Sequence, residues 1–151
     1  MQETFFTSKE AAEITGCTLR QLQYWRERGV IVPVISDTGT GRSIYYSKSN
    51  LLELAAMSYW LSVGLSFDIA STTLKKLKDQ EPELFTSGKG KRFMLLLQAQ
   101  ERSPLGVPKV SLELVEFDRK KAIASLDEGK PVIPVWLDEI YQKLALKLGK
   151  S

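Results

Sequence analysis

Between Thr7 and Gly29 the chain carries two helix-start signals and two helix-stopping glycines, with only Gly16, Cys17 and Thr18 separating the two segments. Thr7 is followed three residues later by Glu10, the spacing at which a hydroxyl and a carboxylate satisfy the free amides of a helix start. Ala11, Ala12 and Ile14 come next and Gly16 supplies the stop, which predicts a helix over about residues 8–15. Thr18 starts a second helix, over about residues 19–28, closed by Gly29. Its Leu19, Leu22 and Trp25 fall on one side, with Arg20, Gln21, Gln23, Tyr24 and Arg28 over the remainder. A short glycine turn between two short helices, the first with small residues that allow close approach, is the pattern of a helix-turn-helix.

The β-prone stretches Val30–Ile35 and Ile44–Tyr46 flank a loop of Gly, Asp, Ser and Thr, and read as a hairpin whose only positive charge beyond the strands is Arg42. A wing would take this form. Ser47 caps a third helix, 48 to about 63, with Leu51, Leu52, Leu54, Ala55, Tyr59 and Leu61 as its core side. Gly64 ends it, and Ser66 caps a fourth with Ile69, Ala70, Thr73, Leu74 and Leu77 at helical spacing. From Asp79 to Lys91 periodicity disappears, which predicts a linker. Beyond it, Arg92–Gln98 and Lys109–Phe117 read as a strand pair around a Ser103–Pro108 turn, and Arg119–Glu128 as a short helix. Pro131–Trp136 reads as an edge strand because of Pro134, and a last helix carries the stripe Leu137, Ile140, Leu144 and Leu148. The expected architecture is α+β. A winged helix-turn-helix of four helices plus a β-hairpin occupies 1–78, a linker 79–91, and a small domain of about three strands and two helices 92–151, for dimerisation or regulation.

Composition narrows the chemistry. Histidine is absent, which removes the commonest proton shuttle near neutral pH and every catalytic or zinc arrangement built on imidazole. One cysteine offers neither an internal disulfide nor a thiol cluster for a metal, and suits a reducing cytoplasm. No apolar run approaches the ~20 residues of a bilayer span. The reading is therefore non-enzymatic, without cofactor, metal or membrane. With 21 basic against 18 acidic residues, net charge alone draws nothing onto nucleic acid, so local placement must carry any such role.

That placement is favourable. Residues 18–42 hold Arg20, Arg26, Arg28 and Arg42 against Glu27 and Asp37. The first turn of a recognition helix faces base edges, so Thr18, Arg20, Gln21 and Tyr24 can donate or stack there, guanine being the natural partner of a bidentate arginine. Arg26, Arg28, Arg42 and Lys48 can serve phosphates. Gln23 on the helix and Tyr45 in the hairpin complete the candidate DNA-binding set. Singly, each feature is ordinary for a solvated helix face or a turn; their combination and order carry the reading. Gly88-Lys89-Gly90-Lys91-Arg92 lacks the spacing of a P-loop and reads as linker.

The stretches EAAEITGCTLRQLQYWRERGVIVP and YYSKSNLLELAAMSYWLSVGLSFDIASTTLKKL resemble the winged-helix DNA-binding domain of MerR-type transcriptional regulators, over Phe6 to Leu77. The resemblance implies that Gly16–Gly29 carries the recognition helix, that Tyr24 and Trp25 divide between DNA and core, and that Tyr46-Ser47 ends the wing strand. This chain has Gln23 where the family commonly has arginine, and Arg26 where it has an acid. The family's wing arginine falls nearest Ile44, leaving Arg42 to serve from two residues earlier. MerR-type proteins usually continue into a long dimerisation helix, whereas here Pro82 and a strand follow. Their metal sensors use paired cysteines and their cobalamin binders histidine, so neither effector is expected. The expected partners are double-stranded DNA, a second copy of the chain and, as a further candidate, RNA polymerase, with the final helix as the candidate pairing surface. Two alternatives share the sequence features: an excisionase-like architectural factor, and a protein-interaction adaptor that has lost DNA binding.

Overall fold

The computed structural model describes residues 4–38, 41–102, 104–106 and 108–149, with backbone alone at 36–38, 41–42, 98–102 and 108–110. The described elements run β1 (Phe6–Thr7), α1 (Ser8–Thr15), α2 (Leu19–Glu27), β2 (Val34–Thr38), β3 (Gly41–Tyr46), α3 (Lys48–Ser62), α4 (Phe67–Gln80) and α5 (Glu83–Ser87). They continue as β4 (Phe93–Arg102), β5 (Pro108–Glu116), α6 (Arg119–Asp127), β6 (Val132–Val135) and α7 (Leu137–Leu148). Contacts divide the chain into two compact units, Met1–Lys89 with Leu137–Ser151, and Gly90–Trp136.

In the first unit the local signals act as the residues require. Thr7 Oγ1 accepts from Glu10 N at 3.1 Å while Thr7 N donates to Glu10 Oε1 at 2.9 Å, and Gly16 ends α1 in the left-handed region at φ 78°. Thr18 and Gln21 form the same reciprocal box at the start of α2. The hairpin β2–β3 pairs antiparallel from Val34↔Tyr45 to Thr38↔Gly41, and β1 joins the other side of β3, a third strand that periodicity did not signal because it is two residues long. The loop tip at 39–40 lies outside the described residues.

Helix α3 is the axis of this unit, touching α1, α4, α5 and α7. A helix surrounded on several sides has no single apolar stripe. Leu51, Leu52 and Leu54 are buried as expected, but the remaining core positions are Ala56, Met57 and Trp60, while Ala55, Tyr59 and Leu61 are half-buried. Leu19, expected on the apolar side of α2, is 56% exposed. The stretch expected to be a linker is structured: α4 runs to Gln80, and α5 tucks Leu84 and Phe85 inward, with Ser49 Oγ donating to Phe85 O at 2.6 Å. These apolar residues, set in a polar composition, escape a periodicity search.

The final helix also departs from expectation. Its stripe, read with the 92–151 domain, instead packs α7 on α3 and α1, with Leu137 and Leu144 buried and Lys147 Nζ donating to Ile14 O at 2.9 Å. Gly88, left-handed at φ 72°, lies under the Tyr141 ring where a Cβ would collide. A stripe declares that it will be covered; it does not name the cover.

The second unit is an antiparallel sheet in the order β5-β4-β6. Strand β4 runs further than the expected 92–98, through a bulge between Leu97 and Ala99. Helix α6 lies against β4 and β6, and Ala122, Phe93, Met94, Leu95 and Val135 are buried. Arg92 lies 4.1 Å over the Trp136 ring, whose other neighbour, Phe117, meets it edge-on at 5.6 Å. Among the described residues no helix is long and apolar enough to cross a membrane.

Candidate nucleic-acid interface

Helix α2 buries Leu22 and Trp25, holds Gln21 and Arg26 half-buried, and leaves the rest outside. Leu22 and Trp25 are 1% and 2% exposed, while Thr18, Arg20, Gln23, Tyr24, Glu27 and Arg28 are exposed. At 3.6 residues per turn, Arg20, Gln23, Tyr24, Glu27 and Arg28 fall on one outward face. The capping box engages the Thr18 hydroxyl and the Gln21 side-chain oxygen, and Gln21 is half-buried. Gln23 Nε2 donates to Glu27 Oε2 at 3.1 Å, one turn along.

The end of the helix is an aromatic and guanidinium stack. Tyr24 meets Phe67, at the start of α4, with ring centroids 5.2 Å apart. Arg28 lies 5.5 Å from the Tyr24 centroid and 5.9 Å from that of Phe67. Such contacts restrain the arginine while leaving its charge at the surface. Phe67 is missing from the sequence-derived set; an aromatic directly after the Ser66 cap, at the first turn of a helix, was the available signal. Beside Arg28 lies a cleft of about 410 Å³ whose polar lining is Arg28, Ser71, Thr72, Lys75, Lys78 and Asp79.

The remaining candidates are dispersed. Arg26 is half-buried, and its Nη1 donates to the hydroxyl of fully buried Tyr46 at 2.9 Å, tying α2 to β3. Tyr45 is half-buried opposite Val34 and Thr7. Arg42 stands opposite Asp37 in the hairpin ladder, and its side chain lies outside the described residues. Lys48 is exposed at the first turn of α3, beside a groove shared with Tyr141 and Leu144 of α7.

A buried polar network fixes the chain between α2 and the hairpin. Asn50 Nδ2 donates to Val32 O at 3.2 Å and to Glu53 Oε1 at 3.3 Å, and Lys78 Nζ pairs with Glu53 Oε2 at 3.2 Å. Burial pushes the Glu53 carboxyl above the usual carboxylate range, and Lys78 pulls it part of the way back. Burial likewise raises the Cys17 thiol, whose Sγ donates to Leu54 O at 3.5 Å, a packed small residue at the turn. Among the described residues no cluster of His, Cys, Asp and Glu could hold a metal ion.

Residues 6–77 match the family model described as MerR HTH family regulatory protein. Over 62 residues the chain is 36% identical to an uncharacterized HTH-type transcriptional regulator of Mycobacterium bovis and to regulators of the same description from two strains of Mycobacterium tuberculosis. The alignment covers 40% of this chain and spans 28% of the length of these relatives.

Proposed function

From the premise that residues 6–77 are a MerR-type helix-turn-helix domain, we propose that the protein is a sequence-specific regulator of transcription that binds double-stranded DNA. In this reading α2 enters the major groove and the hairpin of residues 33–46 lies as a wing on the adjacent backbone. The observation that carries it is the division of α2. Leu22 and Trp25 anchor one side, and the opposite side is exposed and bears Arg20, Gln23, Tyr24, Glu27 and Arg28. Arg20, exposed in the first turn, reads a guanine edge. Tyr24 and Arg28, already braced by Phe67, serve phosphates at low ordering cost. Arg26 acts chiefly as the tie to Tyr46 that sets the angle between helix and wing.

The test is duplex selection from random sequences, followed by titration in salt. Arg20→Ala is expected to cost about 1–3 kcal/mol at one base position, so the selected site should relax there; an equal loss on every sequence would make Arg20 a phosphate contact. Arg42→Ala should weaken binding on all duplexes and reduce the slope of log affinity against log salt by about 1. An unchanged slope would remove the wing from the interface. Failure of the native protein to bind any duplex at low salt would refute the reading and favour an adaptor.

A further inference from the structure

The two edges of the second unit's sheet differ. Phe117 N donates to Arg92 O at 2.8 Å, in register with the pair Phe93↔Glu116, which fixes the hydrogen-bonding parity of the whole ladder. Glu113, Val115 and Phe117 turn their backbone groups toward β4, and Leu112, Leu114 and Glu116 turn theirs outward. The same parity makes Phe93 and Leu95 the β4 residues that bond β6, through Val135 and Ile133, and leaves Pro134 at an outward position of β6. That edge is four residues long and lacks a donor where a further strand would need one. The opposite edge, β5, is nine residues long and, among the described residues, pairs with β4 alone.

An open antiparallel edge of this length is a template for another strand. An edge strand's hydrogen-bonding pattern complements itself under two-fold rotation, so a second copy needs no separate recognition sequence. The register that overlaps the whole of Pro108–Glu116 centres on Leu112, whose backbone groups point outward, as an exchanging pair requires. In this register Glu113 faces Ser111 and Glu116 faces Pro108, so no two like charges stand opposite each other, whereas centring on Glu113 would oppose that carboxylate to itself. Pro108 is, by the same parity, an outward position without a donor. It lies at the strand end, where it costs one bond of the outermost pair and spares the centre, unlike Pro134 within the four residues of β6. Half-buried Leu112 and Leu114 gain apolar neighbours across the axis. We propose that β5 pairs antiparallel with β5 of a second copy about Leu112, making one continuous six-stranded sheet. This inference is independent of DNA binding.

Sedimentation of the full chain without DNA should give twice the 17.0 kDa chain mass. Leu114→Pro, which removes an outward donor and spares the bonds to β4, should return the mass to that of one chain with an unchanged circular dichroism spectrum. Under oxidation Leu112→Cys should form a covalent dimer, because Cα atoms of an exchanging pair lie ~5.5 Å apart. Val115→Cys, off the axis, should not, nor should the native chain, whose Cys17 is buried. If Leu114→Pro misfolds, the two cysteine variants decide. A native chain that sediments as a monomer at high micromolar concentration would overturn the proposal. So would a dimer that survives Leu114→Pro and leaves Leu112→Cys unlinked.

Discussion

Trp25→Ala is expected to lose about 3–5 kcal/mol of stability, the range for removing a fully buried tryptophan. Trp25 is 2% exposed, and its backbone carbonyl accepts from both Val30 and Ile31, which turn the chain out of α2. The indole therefore holds the helix down while its own turn sets the exit toward β2. Urea denaturation should show a lower midpoint with an unchanged slope. DNA affinity should fall with the folded fraction and recover in part as stability is restored by ligand excess. The adjacent aromatic supplies the contrast. Tyr24 is 44% exposed and touches Phe67 and Arg28 at the surface, so Tyr24→Ala should cost about 1 kcal/mol of stability and act mainly on binding. Equal losses from the two substitutions would contradict the assignment of one ring to the core and the other to the interface.

Lys78→Ala should produce the second large effect, with a distinctive pH dependence. Glu53 is 5% exposed, and the substitution leaves it without its cation, a loss of about 2–3 kcal/mol once the partial exposure of Lys78 is discounted. The folded chain already holds the Glu53 carboxyl above its ordinary value because burial outweighs the lysine. A carboxyl raised on folding binds its proton more tightly in the folded state. Its stabilising contribution is therefore complete below the unfolded value and is lost as pH rises through the folded one. Removing Lys78 raises the folded value further, so the deficit should be largest at mildly basic pH and shrink as the solution is acidified toward the carboxylate range. Glu53→Gln keeps an acceptor for Asn50 Nδ2 and should flatten this dependence. Denaturant curves at several pH values check both variants, and a deficit for Lys78→Ala that is equal at mild acid and mild base would remove Glu53 as its cause.

Legibility followed the range of the forces involved. The starts at Thr7, Thr18, Ser47 and Ser66 and the stop at Gly16 are made by residues within one turn of each other, so each could be read from spacing. Pro134 marked β6 as an edge for the same local reason: it has no donor to give. Trp60, Met57 and Phe85 were harder, because their burial comes from several neighbours arriving from distant parts of the chain. Of the candidate interface, the outward face of α2 was legible as the complement of Leu22 and Trp25. Phe67 was not, since nothing in the order of residues says that α4 begins beside Tyr24.

By itself, the order of amino acids decided where the first four helices begin, that two short helices meet at a tight turn, and that Leu22 and Trp25 mark the apolar side of the second. Those outcomes depend on backbone amides seeking partners a few residues away and on the period of the side chains. Only tertiary packing decided that Arg26 reaches Tyr46, that Arg28 lies across two rings, that Glu53 is buried beside Lys78, and that α7 covers α3 and α1. An apolar stripe or a long cationic side chain specifies how much it gains from a partner, not which partner lies within reach, and that choice is made only when the whole chain closes on itself.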